Sequence, residues 1–311
     1  MGEKEIVIDS YGNRLSGTAC IPNGTGRFPL VIMVHGSGPL DRNENMNGQQ
    51  LNIFNTIARH VAAEGVASLR YDKRGCGKSS GDYYITGHSD LVNDAISWFD
   101  ALNQYDFCDS ERIFVLGHSE GCIIAPQMSI IRPAIVGLVL LCPFVDDMES
   151  ILIKQAIKLQ QDFDASPGFN GFIRRIISRM AGATVASQQK LIDKLKSSNK
   201  DTIRVGLQKI PAKWLRELIM LDPHAIFGQV TCPILAIGGE KDLQCDPNDV
   251  NRIVKLTKGA VSAYIIKNLT HILRFDEQQP SFLRTAELTK KPMESIVLDL
   301  IVEWYKQQYR T

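Results

Sequence analysis

Between the β-rich apolar run Ile113-Phe114-Val115-Leu116 and the apolar stretch Cys122-Ile123-Ile124-Ala125 stands the pentapeptide Gly117-His118-Ser119-Glu120-Gly121. The chain has just this pentapeptide in which to leave a strand and enter a helix. A turn that sharp needs glycine where side chains would clash, and it lifts its central residue above the end of the sheet. The following helix points its N-terminal amides and the positive end of its dipole at that residue, which favours a developing negative charge there. A strand feeding directly into a helix predicts a crossover to another, parallel strand, so the rest of the chain should supply a layered α/β architecture.

It does. Lys4–Asp9 and Arg14–Ile21 flank Ser10-Tyr11-Gly12-Asn13 and read as an opening antiparallel hairpin. Phe28–His35 is apolar almost throughout, as a strand buried on both faces should be. Further strands are expected at Val66–Tyr71, Ile113–Leu116, Ile135–Cys142, Pro233–Ile237 and Val261–Ile266. Helical periodicity covers Leu51–Glu64, Ser89–Leu102 (with Ser89 as N-cap) and Pro292–Tyr309. The alternation predicts a mostly parallel central sheet flanked by helices. It stops between 145 and 228, where the pattern is helical, as at Glu149–Gln161 and Phe169–Met180, and no strand is expected. A crossover between parallel strands needs far fewer residues than this. The stretch therefore reads as an inserted helical cap, residues 145–228, on a core made of 1–144 and 229–311.

Composition excludes several classes. Lys and Arg number 35 against 34 Asp and Glu, a net charge of +1, which gives no footprint for a nucleic-acid partner. No uninterrupted apolar run reaches the roughly 18 residues of a membrane span, so no membrane partner is expected. The start, MGEKEIVIDSYGN, lacks the apolar region of a secretory signal. Seven cysteines without CxxC pairing fit reduced thiols in a cytoplasm and argue against structural zinc. A second G-x-S-x-G, Gly77-Lys78-Ser79-Ser80-Gly81, follows the polar run Asp72-Lys73-Arg74-Gly75 and opens no helix, so it reads as a loop. Nor is it a phosphate loop, because Asp72 stands where that pattern needs glycine.

A serine becomes a useful nucleophile when a base takes its proton. On a strand–turn–helix elbow the chain order is serine, acid, histidine. Of six histidines, His224 and His271 follow Ser119. His224 adjoins Pro223 at a helix start. His271 lies in the polar loop Asn268-Leu269-Thr270-His271 after a strand, where sites of open α/β sheets form, and is the expected base. Asp242, in Gly239-Glu240-Lys241-Asp242, is the expected acid, with Glu240, Asp246, Asp146 and Asp147 as rivals. The oxyanion of a tetrahedral intermediate needs backbone donors. Glu120 N–H supplies one, and the glycine-rich loop His35-Gly36-Ser37-Gly38-Pro39 the other, through Ser37 with Gly38 next. His35 is expected to support that loop by hydrogen bonding. Gly36, Gly38, His118, Phe144 and Trp214 are candidate pocket residues. Phe163, Phe169, Phe172 and Phe227 are further aromatics of the cap region.

With these residues set out, the chain resembles the α/β-hydrolase superfamily, and within it the bacterial carboxylesterases and serine-aminopeptidase-like hydrolases with a helical cap. The resemblance runs from about residue 25 to 310. It is carried by His35–Pro39 with Asp41-Arg42-Asn43, by Arg70–Gly75 with Gly77-Lys78-Ser79, by Gly117–Gly121, by Gly239–Asp242 and by Asn268–His271. It implies the α/β-hydrolase fold, a Ser119–His271–Asp242 triad, no cofactor and no metal, and a small-molecule ester of a small or aromatic acid as substrate. An aminopeptidase is the alternative; it would need a carboxylate for the substrate ammonium, and Asp41, Glu44 and Glu120 are available. A non-catalytic ligand-binding protein on the same fold is the alternative of another class. Dehalogenases and epoxide hydrolases would want aspartate at position 119.

Overall fold

The computed structural model describes residues 1–46, 48–165 and 184–309. Strands β1 (Gly2–Ser10) and β2 (Asn13–Ile21) form the opening hairpin, paired antiparallel from Gly2↔Ile21 to Ser10↔Asn13. Tyr11 and Gly12 turn it with φ of 50° and 76°, both positive as a two-residue hairpin turn of this hand requires. There follow β3 (Phe28–Val34), α1 (Ile53–Ala63), β4 (Ala67–Tyr71), α2 (His88–Ala101), β5 (Cys108–His118), α3 (Gly121–Ile131) and β6 (Ile135–Leu141). Next come α4 (Met148–Asp164), α5 (Val185–Lys196), β7 (Thr202–Val205), β8 (Gln208–Pro211), α6 (Ala212–Ile219) and α7 (Pro223–Phe227). The chain closes with β9 (Ile234–Gly239), α8 (Asp249–Leu256), β10 (Val261–Ile266), α9 (Thr285–Leu288) and α10 (Ser295–Tyr309).

Eight strands make one sheet in the order β1-β2-β4-β3-β5-β6-β9-β10. β2 is antiparallel to both neighbours, and every other pair is parallel. Successive side chains of a strand face opposite ways, and the two cores follow from that. Leu30, Ile32, Val34, Val115, Leu138 and Leu140 pack under α2 and α3 with Trp98, Phe99 and Ile123. Val31, Met33, Phe114, Leu116, Val139 and Leu141 pack under α1 and α10 with Phe54, Ile57, Val297 and Tyr305. This is the α/β-hydrolase fold. From β3 the chain steps outward to β4, then crosses back over to β5 on the other side of β3. The carboxyl ends of β3 and β5 are therefore a switch point, the crevice where open α/β sheets bind ligands. Val34 pairs with Gly117, so the loop after β3 and the turn after β5 emerge side by side.

The structure departs from the expectations in three places. α2 starts at His88, not after Ser89; its cap is Gly87, whose N–H donates to Asp90 Oδ2 at 2.8 Å. The region between β6 and β9 is not free of strands: β7 and β8 form a small antiparallel hairpin. Its loop is Gly206-Leu207, and Gly206 takes φ 58°. Strands this short, with Gln208 and Lys209 on the returning arm, carry no alternation that a sequence pattern could register. Third, β5 is longer than the apolar run that announced it, because its first residues are polar and partly exposed. The helix expected over Phe169–Met180 lies outside the described residues. Among the described residues no helix is long and apolar enough to cross a membrane.

Among the described glycines, the elbow holds the closest approach. A Cβ on Gly121 would lie 2.0 Å from Val34 O, and one on Gly117 would lie 2.2 Å from Gly121 O. Gly121→Ala is expected to lose about 1–3 kcal/mol in urea unfolding, the cost of overfilling a close-packed site. Gly2→Ala meets nothing within 4 Å and should stay within about 0.5 kcal/mol of the parent.

Candidate active site

Ser119 sits between β5 and α3 with φ 53°, left-handed backbone on a residue with a side chain. Such a conformation costs of order 1–3 kcal/mol and survives where its surroundings impose it. Here Ser119 N donates to Leu141 O at 3.0 Å, and Ser119 O accepts from Cys122 N at 2.9 Å. Across the crevice, a Cβ on Gly36 would come within 3.1 Å of Ser119 Cβ. The loop after β3 reaches the serine this closely because residue 36 is glycine.

Asp242 and His271 come from the loops after β9 and β10, and the fold brings them together. His271 Nδ1 lies 2.7 Å from Asp242 Oδ2. The other carboxylate oxygen accepts from Gln244 N at 2.7 Å and Cys245 N at 3.0 Å. Burial pushes the Asp242 carboxyl up, but the charge and hydrogen bond of His271, with the two amides, outweigh it and hold it below the usual range. With Nδ1 turned to Asp242, His271 has Nε2 free for a proton. The rival acids are elsewhere: Asp146 pairs with Lys154 and Arg252, Asp147 caps α4, Glu240 accepts from Asn268 N, and Asp246 accepts from Asn248 N. His224 contacts Arg252 at 3.2 Å.

The amides of Glu120 and Ser37 donate no hydrogen bond among the described residues. Both peptide groups of Gly36, by contrast, are held. Gly36 N donates to Glu44 Oε1 at 2.8 Å, and Gly36 O accepts from Lys73 Nζ. Glu44 is fully buried and takes φ 62°. Its other oxygen lies 2.7 Å from His118 Nδ1, while His118 Nε2 lies 2.9 Å from His271 O. An imidazole facing a carboxylate on one nitrogen and a carbonyl on the other satisfies both as the cation. Burial opposes that charge in His118, and Glu44 overcomes it, so the imidazole pKa is raised. Burial likewise opposes the Glu44 carboxylate, and His118 and the Gly36 amide lower it.

On the other flank of Ser119, Glu120 Oε1 accepts from Trp214 Nε1 at 2.6 Å and lies 3.3 Å from His88 Nδ1; Oε2 lies 3.4 Å from Lys73 Nζ. Burial pushes the Glu120 carboxyl up, but Lys73, His88 and Trp214 together bring it down to about 2. Gln127 Nε2 contacts His88 Nε2 at 2.9 Å, which leaves Nδ1 as the proton carrier facing Glu120. Lys73 and His88 were not singled out by the sequence. A lysine in a polar turn and a histidine at a helix start carry no pattern that sets them apart from solvated ones.

Other candidates fall as follows. His35 does not hydrogen-bond the oxyanion loop: neither ring nitrogen has a protein partner, and the ring packs against Tyr71 and Phe54 at 4.9 and 5.5 Å between centroids. Gly38 takes φ 105° in that loop. Phe144 and Phe227 are buried in the α2–α3 side core. Phe163 is partly buried, and Phe169 and Phe172 lie outside the described residues. Trp214 reaches the elbow from α6. Ser79 is structural, accepting from Ser16 N at 3.0 Å and donating to Asp72 O at 2.8 Å. Ligand atoms of Cys142, Asp242 and His271 lie within 4.8 Å of one another. The aspartate and histidine are already bonded to each other there, and burial together with Asp242 raises the Cys142 thiol well above its ordinary value, so it stays protonated and is a poor ligand.

Residues 45–278 match the family model described as serine aminopeptidase, S33. Esterase EstD of Thermotoga maritima is 28% identical over 307 residues, 97% of this chain and 67% of that protein. Among solved structures, Est1E of Butyrivibrio proteoclasticus with ferulic acid bound matches at TM-score 0.65 and 18% identity, covering 98% of this chain and all of that one. A proline iminopeptidase of Mycobacterium smegmatis matches at TM-score 0.59 and 15% identity, covering 98% of each chain.

Burial, then the charge of Lys73, lowers the His35 imidazole from 6.5 to about 4. The folded chain therefore holds His35 neutral where the unfolded chain would protonate it. The resulting stability is complete above pH 6.5 and is lost as pH falls toward 4. Urea unfolding of the parent against His35→Gln should show the parent's relative stability falling by about 3 kcal/mol over that window; a constant difference would refute it.

Proposed function

The chain belongs to the serine aminopeptidase S33 family of α/β-hydrolases, and from that premise we propose that it is a serine carboxylesterase acting on neutral esters of small or aromatic acids. Ser119 is the nucleophile, His271 the base and Asp242 the acid that orients it. His271 takes the Ser119 proton as Oγ attacks the acyl carbonyl. The amides of Glu120 and Ser37 receive the oxyanion. His271 then protonates the leaving alcohol, and water, activated in the same way, releases the acid from the acyl-enzyme. The observation that carries this reading is the conjunction at one crevice of a strained Ser119, a carboxylate-bound imidazole and two amides without protein partners.

The family name points to peptides, and the charges around the elbow favour esters instead. An aminopeptidase needs a carboxylate with acceptor capacity for the substrate ammonium. Glu44 is bound to His118 and Gly36 N; Glu120 is bound to Lys73 and Trp214; Asp276, beside His271, is bidentate to Arg284 at 2.8 Å. Asp41 accepts from Asn43 N, Asn45 N and Asn45 Nδ2. The named esterase relative supports the same reading. We read residues 145–228 as a cap over the crevice, supported by α6, where Trp214 reaches Glu120, Lys213 pairs with Asp90, and Glu217 accepts from Ser89. Beside His271, a cavity lined by Leu243, Ile272, Phe282 and Leu288 suits an apolar substrate group. The ferulic acid in the Est1E structure makes hydroxycinnamate esters a reasonable class to assay. All seven cysteines are free, which suits a reducing compartment such as the cytoplasm.

Purified protein should hydrolyse p-nitrophenyl acetate and butyrate, and methyl ferulate is the aromatic ester to set beside them. Ser119→Ala and His271→Ala should each lose at least about 10³-fold in kcat/KM. Full activity in Ser119→Ala would end the reading. Faster turnover of aminoacyl p-nitroanilides than of the esters would replace it with the peptidase.

A further inference from the structure

We propose that Lys73 is a positioning residue of the oxyanion hole, working through the carbonyl of Gly36 and held in place by the side chain of Glu120. The proposal rests on the reading of Ser119 as nucleophile with the Ser37 and Glu120 amides as oxyanion donors.

A carbonyl and the next residue's N–H belong to one planar peptide unit. The unit whose oxygen accepts from Lys73 Nζ is Gly36–Ser37, and its N–H is the Ser37 donor. An ammonium on the oxygen fixes the plane, and so the direction of that N–H. It also withdraws electron density through the amide, which strengthens the N–H as a donor. Glycine at 36 has no side chain to fix the plane by itself, and the loop continues through Gly38 with φ 105°, so an external restraint is needed. Lys73 is 3% exposed and enters from the turn after β4, a different element from the loop it holds.

Lys73 is itself anchored. Its Nζ lies 3.4 Å from Glu120 Oε2, and Glu120 is 1% exposed. The residue that contributes one oxyanion amide through its backbone thus fixes the other amide through its side chain. Glu44 acts on the same glycine from the amide side, at 2.8 Å, backed by His118 on the opposite flank of Ser119. A preorganised pair of donors aimed at developing charge contributes to the transition state and little to ground-state binding, so the signature of Lys73 belongs in kcat.

Removing Lys73 alone would strand a buried carboxylate. The test therefore uses the double variant Lys73→Met/Glu120→Gln, with Glu120→Gln and Lys73→Arg beside it. Each is assayed for kcat and KM on p-nitrophenyl butyrate, for thermal melting, and for inhibition by an alkyl trifluoromethyl ketone, whose tetrahedral adduct needs the oxyanion hole. The double variant should lose about 10- to 100-fold in kcat, less than deletion of a donor itself. KM should change by no more than about two-fold, and ketone affinity should fall in proportion to kcat. Glu120→Gln should lose in the same direction and by less, and Lys73→Arg, which keeps a cation and donors beside Gly36 O, should stay within about three-fold of the parent. The proposal is overturned if a folded double or Glu120→Gln variant keeps the parent's kcat and ketone affinity, or if its loss falls on KM. Should the double variant fail to fold, Glu120→Gln decides by the same criteria. Fluorophosphonate labelling of Ser119 in the parent separates this outcome from failure of the underlying reading: without a Ser119 adduct the nucleophile assignment falls first.

Discussion

The structure depends on one close crossing of main chain. Where β5 turns into α3, Gly121 passes the end of β3 so tightly that a methyl group would sit 2.0 Å from Val34 O. That contact forces the left-handed backbone at Ser119, and it puts the loop after β3 beside the serine. It also means that neither glycine of the turn has a side chain with which to hold the loop directly. A Cβ on Gly117 would lie 2.2 Å from Gly121 O, which only glycine avoids, and one on Gly36 would press on Ser119 Cβ at 3.1 Å. The restraint on the oxyanion loop therefore has to come from residues outside it, which is what Glu44 and Lys73 provide.

Those restraints are charged, and at this depth charges must be matched. A buried ion deprived of its partner costs roughly 3–5 kcal/mol. Glu44 with His118 and Lys73 with Glu120 satisfy the requirement locally, with hydrogen bonds to Gly36 and Trp214 completing the carboxylate valences. The same matching bears on substrate. Glu44 and Glu120 already have cationic partners, and under the proposed ester reading a neutral substrate would enter without displacing either pair. The family model is described as serine aminopeptidase, and the pairing of Glu44 and Glu120 is what the proposed ester reading sets against that description.

Much of this was legible in the sequence, because the features concerned are local. The strand–turn–helix around Ser119, the buried run of β3, and the order of Ser119, Asp242 and His271 each follow from a few adjacent residues or from chain order. The hydrogen bond between Asp242 and His271 was an expectation of the same kind. What escaped notice depends on contacts distant in sequence. Lys73 meets Gly36 across 37 residues and Glu120 across 47, and no spacing rule links them. Glu44 was noticed as an acid near the crevice, but its partner His118 is 74 residues away, and its role as a tether needed coordinates. His35 misled in the opposite sense. A histidine heading a glycine loop suggests a hydrogen bond, whereas the ring is used for its shape between Tyr71 and Phe54. The hairpin of β7 and β8 went unread because four-residue strands leave almost no periodicity.

The two side chains that flank Ser119 join the elbow to distant parts of the chain. His118 looks toward the loop after β10, through His271 O, and Glu120 looks toward α6, through Trp214. Residue 118 thus ties the elbow to the loop that carries His271, and residue 120 ties it to α6. Lys213 with Asp90 and Glu217 with Ser89 fix the same helix to α2, so Trp214 reaches Glu120 from a braced position. A shift of α6 would pull first on Glu120, then on Lys73, and so on the Gly36–Ser37 peptide. In this chain the residues between Gly117, Ser119 and Gly121 determine what the nucleophile is connected to, while the glycines and the serine determine where it stands.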